Sequence, residues 1–323
     1  MRAPGFWARP SSLVSTVLAP LGWVYAYGTA RRLRQTGVRL DCPVICVGNL
    51  TAGGTGKTPT VIALLERLMA RGHAPHVVTR GYGGSAEGPV RVDPSVHRAD
   101  EVGDEALLLA AFGPTWVAKD RVAGGQAAQT AGADVILLDD GFQNPALVKD
   151  LSIVVVDTGV GFGNGRCIPA GPLREPVETG LARADLILTI GPKAEQDRLT
   201  FGPLPPRVEG ALLPLKTGMV WERLPVFAFA GIGRPEKFFQ TLRDLGADIR
   251  DQVALADHQP LTPALLKRLG DRAASLSAQP VTTEKDAVRL PPNLRGQVLT
   301  VPVRLNLEDT ATLDAALGRL GLD

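Results

Sequence analysis

Short runs of aliphatic and β-branched residues alternate along most of this chain with stretches whose apolar positions recur every three or four residues. Residues 43–47 read as a first strand. The helix expected after it, over 60–71, turns Leu64, Leu65 and Leu68 to one face. Further strands are expected at 76–79, 115–118, 135–139, 153–156 and 186–189, with helices at 104–111 and 121–131. Strands this continuously apolar, spaced by helices, predict a parallel sheet covered on both faces. Pro203, Pro205 and Pro206 then punctuate the chain, and 208–215 with 219–221 read as a hairpin-like bridge. A fresh strand–helix unit at 226–230 and 235–245 leads to strands near 249–253, 280–283 and 298–302. A last amphipathic helix carries Leu313, Leu317 and Leu320. The length of 323 residues suits two unequal domains, and the pattern puts their boundary near residue 222.

One stretch follows neither rhythm. From Pro10 to Ala30 there is no charged residue, with Arg9 before it and Arg31, Arg32 and Arg34 after it. Its length matches the roughly 20 residues that span a bilayer, but its serines, threonines, glycines and Pro20 make poor hydrocarbon filler. Leu13, Val17, Leu21 and Val24 fall near one helical face, with Trp23, Tyr25 and Tyr27 available for a headgroup layer. Residues 1–35 therefore read as a helix lying in a membrane interface, tethered by arginines. A helix packed only on its own domain is the plainer alternative. A cleaved signal peptide conflicts with the cytosolic phosphate chemistry below.

Composition adds little. Hydrophobic residues at 45% and charged residues at 21% suit a folded core, and a net charge of +2 gives no reason to expect a nucleic-acid partner. Cys42, Cys46 and Cys167 cannot all pair and form no zinc pattern, so they read as free, structural thiols.

The chemistry concentrates in four places. Thr51-Ala52-Gly53-Gly54-Thr55-Gly56-Lys57-Thr58 lies between the first strand and its helix. Glycines let successive N–H groups wrap phosphate oxygens, Lys57 reaches the terminal phosphates of ATP, and the Thr58 hydroxyl ligates Mg²⁺. Thr51 replaces the usual leading glycine. Pro59 sits in the first helical turn, where its missing N–H has no partner to lose. The apolar strand ending in Asp139-Asp140 is where a P-loop enzyme keeps its Mg²⁺-holding carboxylate, although paired aspartates also make turns. Asp104 and Glu105 after Gly103 either open a helix or serve a site. Asp257-His258 in a polar loop places a histidine able to reach across a cleft.

Together with Val47-Gly-Asn-Leu50 before the loop and Pro59 after it, these stretches resemble the tetraacyldisaccharide 4'-kinases, the lipid A 4'-kinase family of Gram-negative bacteria. The likeness continues through Thr79-Arg-Gly-Tyr-Gly83, Val102-Gly-Asp-Glu105, Asp139-Asp-Gly-Phe-Gln143 and Gly163-Asn-Gly-Arg166. It runs on through Pro169-Ala-Gly-Pro-Leu-Arg-Glu175, Asp257-His258 and Thr283-Glu-Lys-Asp-Ala287. The resemblance implies an α/β fold: a P-loop kinase-like α/β/α sandwich with a parallel sheet, plus a second, smaller α/β/α domain joined by a short two-stranded link. The corresponding spans are 36–222 and 223–323. It implies transfer of the ATP γ-phosphate to the 4'-hydroxyl of a tetraacylated glucosamine disaccharide 1-phosphate, at the cytoplasmic face of the inner membrane. Asp104 would accept the hydroxyl proton with His258 assisting. Glu105, Asp139 and Asp140 would position metal or water, and Arg80, Gln143, Arg166, Arg174 and Glu175 would meet the substrates. The family often has a second histidine where this chain has Gln259. The rival from another class is a membrane-associated P-loop switch without an acceptor. A guanine-specific switch needs Asn/Thr-Lys-x-Asp, and Thr283-Glu-Lys285-Asp286 has those residues in the wrong spacing.

Overall fold

The computed structural model describes residues 4–199 and 205–323, so Pro203 lies outside the described residues. Nine strands form one sheet: β1 (Val44–Gly48), β2 (Pro75–Thr79), β3 (Val90–Arg91), β4 (Thr115–Val117), β5 (Val135–Asp139), β6 (Leu151–Asp157), β7 (Leu186–Ile190), β8 (Arg207–Pro214) and β13 (Val303–Leu307). Four more, β9 (Pro225–Ala230), β10 (Asp248–Ala254), β11 (Gln279–Thr283) and β12 (Leu299–Val301), form a second. The larger has the order β13-β8-β7-β6-β1-β5-β2-β4-β3 and the smaller β10-β9-β11-β12. Among the described strands, β13 on β8 and β3 on β4, at the two edges of the larger sheet, pair antiparallel and the rest pair parallel.

Burial on both faces explains the apolar strands. Every residue of β1, β2, β5, β6 and β7 is buried. Ile45 and Val47 pack under Val61, Leu64, Leu65 and Leu68 of helix Lys57–Ala70. Val44 and Cys46 face the other layer with Ile136, Leu138 and Phe142. The smaller sheet repeats the scheme, with Val226 and Ala228 against Phe238 and Phe239, and Phe227 and Phe229 against Leu265 and Leu269. Since β1 lies between β5 and β6, the loops after all three meet at one sheet end, where the strand order reverses. Open α/β sheets bind ligands at such a point.

Two expectations need correction. Met219 to Trp221 form no strand; Trp221 is buried in the small-sheet core, and the partner of β8 is β13, with Gly210 opposite Leu307. The last strand and the helix Ala311–Gly318 accordingly belong to the larger sheet rather than to the expected 223–323 unit, Leu313 and Leu317 joining its core. The chain thus leaves for the second sheet along β8 and returns along β13.

Helix Leu13–Leu33 packs by its small residues. Ser15, Gly22 and Thr29 are its buried positions, and a Cβ at Gly22 would lie 2.8 Å from the Cys167 carbonyl. Ser15 Oγ donates to the Ala170 carbonyl at 2.7 Å and accepts from Asn164 Nδ2 at 2.9 Å. The apolar side chains point outward instead: Leu13 is 87% and Val17 77% exposed, and Leu21, Trp23, Val24 and Tyr27 are exposed with them. Among the described residues no helix is long and apolar enough to cross a membrane.

Candidate active site at the meeting of the two sheets

The phosphate-type loop rises from the end of β1 and is fixed from outside itself. The Ala52 N–H donates to the Pro172 carbonyl at 2.7 Å, and Asn49 Nδ2 donates to the Gly53 carbonyl at 3.3 Å. Gly56 adopts φ +96° as it caps helix Lys57–Ala70, and a Cβ there would meet Ile190 at 2.6 Å. Both reasons demand glycine. Gly53 and Gly54 stand open, while the Thr55 hydroxyl is buried without a partner.

Beside the loop, Asp139 ends β5 opposite Val47 of β1. It is 1% exposed; Oδ2 accepts from Thr79 Oγ1 at 3.1 Å and Oδ1 has no hydrogen-bond partner. Asp140, at φ +54°, takes both arms of Arg174 at 2.7 and 3.1 Å and lies 3.7 Å from Lys57 Nζ. Gln143 donates to the Asn49 carbonyl and to Glu175, both at 2.9 Å. Glu175 is buried and accepts two bonds of 2.6 Å from Arg183.

A second cluster joins the two sheets. Gly103, at φ +89°, begins helix Asp104–Ala110, where a Cβ would lie 2.7 Å from the Tyr82 carbonyl. Asp104 Oδ1 accepts from the Glu105 N–H at 2.8 Å. From the small-sheet side comes His258, whose Nδ1 is 2.9 and 3.1 Å from the two Asp104 oxygens. Lys285, just after β11, lies 3.0 Å from Glu105 Oε1 and 3.1 Å from His258 Nε2. Arg289 Nε stands 3.7 Å from Asp104. The cluster also meets the phosphate loop, since a Cβ on Gly233 would lie 3.5 Å from the Gly54 nitrogen and 3.8 Å from Asp257 Oδ2.

A family model described as Tetraacyldisaccharide-1-P 4'-kinase matches residues 14–320. The chain belongs to that family. Tetraacyldisaccharide 4'-kinases from Jannaschia sp. (strain CCS1) and Dinoroseobacter shibae are each 63% identical to it, over 99% of this chain and 99% and 98% of theirs. Among solved structures, LpxK from Aquifex aeolicus in complex with ATP has a TM-score of 0.76 and 26% identity, over 95% of this chain and 99% of that one.

For a 4'-kinase of this family, the electrostatics separate the three aspartates, Asp104 and Asp139 buried and Asp140 half-buried. Burial, with Glu105 and Asp140 nearby, pushes Asp139 up to about 7 against the pull of Lys57. Asp140 and Asp104 are raised by burial too, yet end below the usual carboxylate range. For Asp140 the charges of Lys57 and Arg174 decide; for Asp104 it is the His258 hydrogen bond, then Lys285, His258 and Arg289. In return Asp104 raises His258 against burial and the Lys285 charge.

Of the residues expected from sequence, Lys57, Asp139, Asp140, Gln143 and Arg174 gather around the phosphate loop, with Thr58 in the first turn of its helix. Asp104, Glu105 and His258 gather in the second cluster. Glu175 faces inward, toward Gln143 and Arg183 rather than an open surface. Arg166 lies toward helix Leu13–Leu33, its N–H held by Asn164 at 3.1 Å and its Nη1 buried without a partner. Arg80 is exposed at the end of β2.

Sequence reasoning assigned no role to Arg121, Asp257, Lys285 or Arg289. Arg121 is buried, donates to the Ala118 carbonyl at 2.7 Å, and feels the charges of Asp139 and Asp140. Its arginine opens an ordinary helix behind the cap Asp120, so nothing local marks it. Lys285 lies in a stretch the family resemblance had already picked out.

The residues present fit ATP and Mg²⁺. Open glycine amides, the orphaned Thr55 hydroxyl and the orphaned, raised Asp139 carboxylate are groups that phosphate and a cation would satisfy. Among the described residues no three His, Cys, Asp or Glu side chains gather into a ready-made metal cage. Mg²⁺ held through one or two carboxylates plus substrate phosphates needs none.

Proposed function

We propose that this chain transfers the γ-phosphoryl group of ATP to the 4'-hydroxyl of a tetraacylated glucosamine disaccharide 1-phosphate. The observation that carries the reading is the Asp104–His258 pair, closed across the two sheets beside the phosphate loop. Phosphoryl transfer asks mostly for positioning and charge neutralisation. Lys57 and the amides of 53–57 would take the triphosphate. Thr58 and Asp139, with Glu105 behind them, would hold Mg²⁺, which neutralises the β- and γ-oxygens when bound. Asp104 accepts the hydroxyl proton as the oxygen reaches phosphorus, and His258 assists. A carboxylate below its usual range is a weak base, but a loose transition state releases that proton late and needs no stronger one. Arg80, Arg166 and Arg174 would meet anionic groups of the two substrates, and Gln143, bonded to Glu175, would meet them too.

The work divides among an interfacial helix in 1–35, a kinase unit over 36–222 and a smaller unit from 223. The smaller unit carries His258 and lends β13 and the last helix back to the larger sheet. The outward apolar face of Leu13–Leu33 supports peripheral attachment to a membrane, which for this substrate is the cytoplasmic face of the inner membrane. Radiolabelled ATP incubated with the disaccharide lipid tests the reaction. Label must move to the lipid; release as free phosphate alone would favour the switch. The anchor is tested by deleting residues 1–30 or by Val17→Asp with Leu21→Asp. Each carboxylate in the acyl boundary costs up to a few kcal/mol, comparable with the hold of one amphipathic helix. Protein should leave vesicles and keep ATP binding, and co-sedimentation of the truncated chain would place the anchor elsewhere.

A further inference from the structure

We infer that Lys285 is a positioning residue for the phosphoryl transfer: its ammonium fixes His258 as the Nδ1–H tautomer, so that the ring donates to Asp104 and leaves that carboxylate free to accept a proton. The inference rests on the reading of Asp104 and His258 as the pair at the acceptor.

An ammonium has three N–H donors and no lone pair, and an ionised carboxylate only accepts. His258 is wedged between one of each, with Nε2 3.1 Å from Lys285 Nζ and Nδ1 2.9 and 3.1 Å from the Asp104 oxygens. With the proton on Nε2, both contacts fail: two donors meet on one side and two acceptors on the other. With both nitrogens protonated, Nε2–H still confronts the ammonium. Asp257 Oδ1 also faces Nε2, but at 3.7 Å it stands beyond hydrogen-bond reach, so the neutral Nδ1–H ring alone satisfies both hydrogen-bonded neighbours. Lys285 is itself held in place, its second N–H reaching Glu105 on the larger-sheet side at 3.0 Å and its charge lying 3.7 Å from Asp257. It thus sets the ring from one side while gripping the opposite wall of the cleft. Losing the partner that orients a metal-bound histidine costs about 10–100-fold, and a loss of that order is expected for this ring too.

The neighbourhood does not depend on Lys285 for its fold. Thr283 caps the turn, with its Oγ1 3.2 Å from the Asp286 N–H. Asp286 is fully buried and accepts from the Gly231 N–H at 3.0 Å and from Arg289. Lys285→Met keeps the stem and removes only the ammonium, leaving a part-exposed Glu105 that water can solvate.

The test uses the full-length chain in two readouts. ¹⁵N NMR of the imidazole rings reports the tautomer, and because there are four histidines, the signal lost in His258→Gln identifies the ring. At a pH above the raised pKa of His258, the wild type should show a protonated Nδ1 and a bare Nε2, and Lys285→Met a ring with Nε2 protonated in part. In saturating Mg²⁺ and lipid, Lys285→Met should lower kcat roughly 10–100-fold with the KM for ATP little changed. Lys285→Arg should recover part of that loss, and Lys285→Met should add nothing in a His258→Ala background. A wild-type Nε2–H tautomer, an unchanged kcat in Lys285→Met, or losses that multiply in the double variant would each overturn the inference. A chain that holds the tautomer yet never labels the lipid would instead overturn the proposed reaction, and the positioning role with it.

Discussion

Asp104 and Asp139 are the same residue in nearly the same degree of burial, 4% and 1% exposed, yet they shift in opposite directions. Burial alone raises a carboxyl pKa by penalising its charge. At Asp104 that penalty is more than offset by His258, Lys285 and Arg289. At Asp139 the nearest charges include two more carboxylates, Lys57 and the buried Arg121 do not outweigh them and the burial, and one oxygen has no partner. The first site is complete within the protein. The second is short of positive charge until something brings it, and a nucleotide-bound Mg²⁺ is the group that would.

Removing the lysine of the phosphate loop on the deficient side gives the largest expected effect. Lys57→Ala should cut phosphoryl transfer about 10³-fold or more, because the developing charge at the terminal phosphates loses a counter-charge that backbone amides cannot replace. Helix Lys57–Ala70 keeps its buried leucines, so the variant should melt as a folded protein. Near-normal turnover in the purified variant would remove the phosphate-loop assignment.

The complete side is probed by Asp104→Asn, which keeps the shape and loses the proton acceptor. kcat should fall roughly 10²–10⁴-fold with ATP affinity little changed. His258→Ala should cost less, since the ring assists. The double variant should resemble Asp104→Asn, because residues acting as one unit are not additive. Independent losses would make His258 a substrate or structural contact and dissolve the pair.

How much of this could be read from sequence differs between the two clusters for a physical reason. The phosphate loop and Asp139-Asp140 are local signals: a glycine-rich turn between strand and helix, and acids at the end of an apolar strand. The second cluster is assembled from residues far apart in the chain, and family resemblance, not spacing, brought Asp104 and His258 together. Lys285 looks like one charge in a short exposed turn until β11 places it beside them. The same limit explains the misread bridge. A hairpin presumes that neighbours in sequence pair, whereas β8 waits for β13, which the whole second sheet separates from it. The first helix was misread in no such way. Its outward apolar stripe was legible, but its packing through Ser15, Gly22 and Thr29 needed the loop it lies on.

The smallest expected effect sharpens the comparison without using catalysis. A carboxyl whose pKa rises on folding, from an ordinary 3.8 to about 7 at Asp139, binds more protons folded than unfolded between those values. Stability must then fall as pH rises through that window, since the unfolded chain ionises first. Asp139→Asn keeps an acceptor for Thr79 and carries no charge. The wild type should therefore lose stability relative to Asp139→Asn between about pH 4 and about pH 7 in EDTA, by up to about 4 kcal/mol. Thermal melts of the two proteins across that range measure it. Asp104 contributes in the opposite sense, its stabilisation being lost as pH falls through its lowered pKa, but it is common to both proteins and cancels. Added Mg²⁺-ATP should close the gap by giving the Asp139 carboxylate its counter-charge. A gap that does not move with pH would mean that Asp139 is already ionised and paired in the free protein, and the contrast between the two aspartates would be gone.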